Sequence, residues 1–335
     1  MEALTPPQVY HKALTLCRRL YKKSRPTYFR PLDYEEDADV VNQHIADLLT
    51  GDKPCMIGRF GANELNLVFN YLGITEHRGD ALGYVTCRTG PWWWNRQIVW
   101  QMEHCAGFFP TDDASLRRFC QMTLEDTPLL DVVGCWLNEE HCVEPLMKDA
   151  YKVAFTWLSP WFSQKPWSWA LEGKRVLVVH PFDGLIRQQY EKRHLLFRNN
   201  LLPTFRELHT VKAVMSFADS SATCGHASWF DALKWMEDQM DQTDYDVCIL
   251  GCGAYGFPLA AHAKRMGKKA IHLGGNSQIL FGIYGKAFLL PNRWEYQRHG
   301  IPSDFYKNLI NEHWVRPGDE YKPKSPEQVD NASYW

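Results

Sequence analysis

Three junctions in this chain place residues capable of chemistry directly after apolar runs of strand length. The first is Gly251-Cys252-Gly253-Ala254-Tyr255-Gly256, a G-x-G-x-x-G loop between the run 246–250 and a helix expected over 258–266. Such a loop offers unpaired N–H donors and the positive end of a helix dipole to an anion. Its glycines permit the turn and let a ligand approach the backbone closely. The motif gains weight from the strand before it and the helix after it. The next strand, 269–273, ends in His272-Leu273-Gly274-Gly275, which adds His272 and a second glycine pair to the candidate nucleotide contacts. A tight turn without a ligand is the bland alternative. A dinucleotide site calls for an acid about 20 residues on to hold the ribose hydroxyls, and this stretch supplies none.

The second junction is His180-Pro181-Phe182-Asp183-Gly184, after the run 175–180. His180 and Asp183 can act as acid, base or hydrogen-bonding groups. One helical turn on, Arg187 and Gln188 can reach a phosphate or hydroxyl. Asp183 also reads as a helix cap. The third is Arg59-Phe60-Gly61-Ala62-Asn63-Glu64, after the strand 54–58. Arg59 can pair with phosphate. Glu64 suits a base, a ligand for hydroxyls or a simple partner for the helix dipole, the default on physics alone. Separately, Arg88-Thr89-Gly90-Pro91-Trp92-Trp93-Trp94-Asn95-Arg96 joins two arginines to three aromatics, a surface suited to a base, a sugar ring or an anion. Consecutive indoles cannot all face one core, so at least one is expected to be exposed.

The elements that must position these residues alternate. Helices are expected over 7–24, 36–50, 63–72, 113–126, 185–198 and 229–242, and strands over 131–134 and 208–216 besides those above. The tract 155–172, rich in Trp, Pro and Ser, connects the halves. Alternation of this kind implies an α/β fold: Rossmann-like parallel sheets with flanking helices. Residues 1–155 make an N-terminal α/β part, 170–290 a Rossmann-like nucleotide-binding part, and 291–335 an irregular C-terminal wrap.

Composition narrows the class. Hydrophobic residues at 45% supply a core, and a net charge of −2 from 37 basic and 39 acidic side chains gives no global field for nucleic acid. The ten cysteines lack zinc-ligand spacing and read as buried, reduced thiols. With no signal-peptide run and no stretch of transmembrane length, a cytoplasmic location is expected. Helix 7–24 carries Arg18, Arg19, Lys22 and Lys23. It reads either as a solvated helix or as one lying peripherally on the inner membrane face.

At Ile57-Gly58-Arg59-Phe60-Gly61-Ala62-Asn63-Glu64-Leu65 the chain resembles bacterial glycosyltransferases of the GT-D fold. These carry a strand and then R-F-G-D-G-E-L, whose Asp-x-Glu helps to hold the nucleotide sugar and its metal. They also end in a strand, glycine turn, helix and strand, as at 246–275 here. The likeness covers a minority of the chain and extends loosely to Trp136 and Asn138. As a whole, the chain resembles proteins encoded among bacterial polysaccharide-synthesis genes. The resemblance implies GT-D-like architecture, a nucleotide-sugar donor, and a glycan or lipid-linked glycan acceptor. It also implies that Arg59, Gly61, Asn63 and Glu64 belong to the donor site. One departure matters: Ala62 replaces the first acid. A divalent metal, Mn²⁺ or Mg²⁺, is therefore not firmly implied, and no metal ligand is assigned. The competing expectations are a Rossmann-type dinucleotide oxidoreductase and a non-catalytic nucleotide- or carbohydrate-binding relative.

Overall fold

Apolar runs unbroken by polar side chains can be covered on both faces, as a parallel sheet between helices requires. Four of the runs here do this: β1 (Cys55–Gly58), β2 (Val132–Cys135), β6 (Val247–Leu250) and, apart from Arg175, β4 (Arg175–His180) are buried throughout. The computed structural model describes residues 6–24, 32–290, 294–323, 327 and 332–335. With β3 (Tyr151–Ala154), β5 (Glu207–Lys212) and β7 (Lys269–His272), these strands form one sheet in the order β3-β2-β1-β7-β6-β4-β5. Every pairing is parallel. The result is a Rossmann-like α/β sheet with flanking helices.

Pairing of β1 with β7 joins the N-terminal and C-terminal parts of the chain into this single sheet. The period of two along each strand then divides its side chains between two cores. Met56, Val133, Leu177 and Leu250 enter one core, while Ile57, Val132, Val176 and Ile249 enter the other. Helix Ala38–Thr50 buries Val41, Ile45 and Leu49, one face at helical spacing, and Asp37 caps it by accepting from the Asp39 and Val40 amides at 2.8 and 3.0 Å. Helix Gly256–Arg265 packs on the opposite face through Leu259, Ala260 and Ala263. Gly267, at φ +76°, ends it as anticipated.

Several elements differ from the sequence expectation. The strand expected over 208–216 stops at Lys212, because its partner β4 ends at His180, the residue opposite. The helix expected over 185–198 is divided at Lys192 into Asp183–Glu191 and Arg193–Leu196. Strand β3 was not anticipated; Tyr151 and Lys152 are only half-buried at the sheet edge. The tail also enters the core, where Tyr306, Trp314 and Trp335 are buried. All ten cysteines are unbonded. Among the described residues, no helix is long and apolar enough to cross a membrane.

Candidate functional site

The register brings the three sequence junctions to one edge. Ile57 pairs with Ile271, Leu250 with His272, and Val179 with Leu250. Two residues beyond Ile57 and one beyond the others, Arg59, Leu273, Gly251 and His180 follow in one row at the carboxyl ends. The chain leaves β4 outward to β5, whereas it leaves β6 in the opposite direction to β7. Neighbouring strand ends that part in this way open a crevice, the usual ligand position in an open α/β sheet.

A cavity of about 220 Å³ lies there. Arg59, Gly61, Ala62, Asn63 and Glu64 line it from the β1 junction, and His180, Pro181 and Phe182 from β4. Gly251, Gly253, Gly274 and Gly275 line it from β6 and β7. Trp136, Gln278, Tyr334 and Trp335 add walls for which periodicity gave no signal. Arg59 and Glu64 are the two charged side chains among the lining residues, since both nearby imidazoles are neutral.

Arg59 lies against the backbone of Gly274, whose φ is +59°; a Cβ there would stand 2.0 Å from its Nη2. Its Nη1 donates to the Phe60 carbonyl at 3.2 Å, and its Cζ lies 5.9 Å from the ring centres of both Trp136 and Phe155. The Nε is buried and makes no hydrogen bond among the described residues. No carboxylate among those residues forms an ion pair with this guanidinium. Glu64 is the third residue of helix Ala62–Thr75, whose N-cap is Gly61. Its carboxylate folds back over that cap, so that a Cβ on Gly61 would lie 1.9 Å from Oε2. This is where a capping glutamate belongs, and the same carboxylate faces the cavity.

His180 is buried, and desolvation lowers its pKa to about 3. Its Nδ1 accepts the Phe182 amide proton at 2.9 Å. The neutral ring therefore carries its proton on Nε2. The ring is neutral at pH 7, so His180 can donate a hydrogen bond but is no reservoir of protons. His272 is also buried, and burial with the nearby Arg59 charge takes its pKa to about 3. It does not line the cavity. Its ring fills the space a Cβ on Gly256 would need, 2.2 Å from Nδ1, and that nitrogen has no hydrogen-bond partner among the described residues.

Glu140 is a residue the sequence reading passed over. Its buried carboxylate accepts from the Trp136 amide at 3.0 Å and the Leu137 amide at 3.1 Å, and desolvation raises its pKa to about 7. It thereby fixes the turn presenting Trp136, whose Nε1 donates to the Phe60 carbonyl at 3.0 Å. Only the Glu140 half of a capping box is present, because the Leu137 side chain has no acceptor, so the sequence carried no clear signal for it.

The other candidates lie elsewhere. Asp183 pairs with Arg187 at 2.9 Å along one helix, Arg187 also reaches Thr210, and Gln188 is exposed. None of the three lines the cavity. Ala254 and Tyr255 are buried in the core. Tyr255 stacks on Trp229 with ring centres 4.8 Å apart and its hydroxyl lies 2.9 Å from Ser216 Oγ. Arg88 is exposed, bonded through Nε to Thr86 Oγ1 at 3.2 Å. Trp92, Trp93 and Trp94 are all half-buried, where at least one was expected to be exposed. His11 of the N-terminal helix stacks on Trp93 with ring centres 3.7 Å apart, and Trp94 donates to Asp113 at 2.7 Å. The chain matches no protein-family model, no curated protein and no solved structure.

Proposed function

We propose that the protein is a glycosyltransferase using a nucleotide-sugar donor, with the diphosphate bound at Arg59 in the strand-end cleft. The observation that carries this reading is the state of Arg59. A guanidinium with a buried Nε that makes no hydrogen bond, and no carboxylate paired with it, among the described residues is poised for an anion. In the proposed reaction the bond from the sugar anomeric carbon to the diphosphate oxygen breaks, and one from that carbon to an acceptor hydroxyl forms. Glu64 takes the hydroxyl proton. The nucleoside diphosphate leaves as an anion, its added charge offset by Arg59 and by hydrogen bonds from groups such as His180 Nε2. A metal held by an Asp-x-Glu pair does not fit the donor set, because Ala62 leaves Glu64 as the one acid among the lining residues. No step is assigned to a metal. The absence of an acid after β7 among those residues also disfavours a dinucleotide.

Thermal shift tests the reading. Nucleoside diphosphates and their sugars should raise the melting temperature, by an amount equivalent to about 2.7 kcal/mol at a hundredfold excess over Kd. Arg59→Met should lose most of that shift. Stabilisation by NAD and not by any nucleoside diphosphate would replace the transferase with an oxidoreductase.

A further inference from the structure

Helix Pro6–Ser24 has two unlike faces. The inner one carries His11, Leu14, Arg18 and Tyr21, all half-buried. Arg18 donates to the Tyr84 and Thr89 carbonyls, Thr15 Oγ1 lies 3.0 Å from the Tyr84 hydroxyl, and His11 stacks on Trp93. These contacts hold the helix on the body. The outer face carries Val9, Ala13, Leu16 and Leu20, spaced i, i+4, i+7 and i+11 and hence one stripe. Val9, Leu16 and Leu20 are 52%, 56% and 58% exposed. Leu82, 67% exposed, continues the apolar surface from the short helix Ala81–Val85, which packs beside it.

Charge says what this face fits. The helix contains no Asp or Glu, yet the whole chain is slightly acidic. On helical spacing, Lys12, Arg19 and Lys23, all exposed, border one side of the apolar stripe. An apolar stripe flanked by cations without one anion is the pattern of a helix lying in the interface of an acidic bilayer. Apolar side chains enter the acyl boundary there, and long cationic ones reach back to the headgroups. We propose that the outer face of Pro6–Ser24, with Leu82, docks this protein on an anionic lipid surface. The inference is independent of the chemistry proposed for the cleft.

Cosedimentation of the full chain with vesicles tests it. Phosphatidylcholine vesicles containing phosphatidylglycerol should bind the protein, and pure phosphatidylcholine should bind it roughly a hundredfold more weakly if three cations contribute. Added salt should weaken binding. Replacing Leu16 and Leu20 by Gln should abolish it, and replacing Lys12, Arg19 and Lys23 by Gln should weaken it by roughly the same hundredfold, both with unchanged circular dichroism because all five side chains are exposed. The proposal fails if phosphatidylglycerol vesicles do not bind the protein at low salt, if neutral vesicles bind it equally, or if the Leu16/Leu20 variant binds like the parent. It also fails if light scattering shows a dimer that this variant dissociates, which would give the face to a second copy.

Discussion

Arg59 and Glu64 occupy one strand-to-helix junction, but their surroundings make different demands on a mutant. Among the described residues Arg59 has no carboxylate partner, so removing its charge leaves no described acid unpaired. Arg59→Met is expected to melt within a degree or so of the parent while sugar transfer, or donor hydrolysis, falls about a hundred- to thousandfold, the ~2.7–4 kcal/mol of one lost charge-stabilising donor. A lowered melting temperature with parental turnover would make Arg59 a packing residue. Glu64 needs a sharper test because its carboxylate folds over the helix cap at Gly61. Glutamine serves a capping position nearly as well as glutamate, and the lost dipole partner is worth only about 0.3–1 kcal/mol. Glu64→Gln should therefore keep most of its stability and lose turnover, which separates a proton acceptor from a cap. Parental turnover in that variant would remove Glu64 from the mechanism.

At the scale of elements, the glycine loop is as much a packing device as a ligand cradle. A Cβ on Gly251 would lie 1.9 Å from Ser277 Oγ and 2.5 Å from His180 Cδ2, and Ser277 is itself held by a 2.7 Å bond to the Gly274 carbonyl. Gly251→Ala must move buried groups that have little room, at a cost of about 1–3 kcal/mol. A denaturant midpoint equal to the parent's would show that the loop is slacker than its geometry. The strands around this loop were legible because β6 is wholly apolar and β4 is apolar between Arg175 and His180, the mark of two-sided burial, while β7 keeps a short apolar centre at Ala270 and Ile271. The strand β3 was not: at the edge, Tyr151 and Lys152 face partly outward and break the apolar run. All four strand ends that line the cleft, at Arg59, His180, Gly251 and Gly274, could be read from strand-end rules. Trp335 and Tyr334 could not, because they arrive from an irregular tail with no period to betray burial. The third glycine of the loop misled: Gly256 makes room for His272, not for a ligand.

Across the whole molecule, each core draws side chains from both halves of the chain, and β1 pairs with β7 in the middle of the sheet. Neither half can lose its structure without exposing the other's apolar surface, so heating should give one transition, coincident by near- and far-ultraviolet dichroism. Acid should reach this unit through its buried imidazoles. For His272 the pKa is about 3 in the fold against 6.5 as the ordinary value. Between those values the unfolded chain binds the proton and the fold does not. The stability contributed by the neutral ring is therefore complete above about pH 6.5 and drains as pH falls toward 3. At pH 5 the loss is about 2 kcal/mol for one such histidine, an appreciable part of a ~5–15 kcal/mol total. His180 adds a loss of the same sign. Glu140 and Asp126, raised by burial to about 7 and about 6, act in the opposite sense, since each holds its proton more readily in the fold than outside it. Their opposition can flatten the parent's profile, so the informative quantity is a difference in slope. His272→Gln should lose roughly 2 kcal/mol less than the parent between pH 8 and pH 5, whatever its absolute stability, when both are followed by urea unfolding. Parallel profiles would mean that the His272 ring takes up its proton inside the fold, and that the packing of helix Gly256–Arg265 against it does not keep water out.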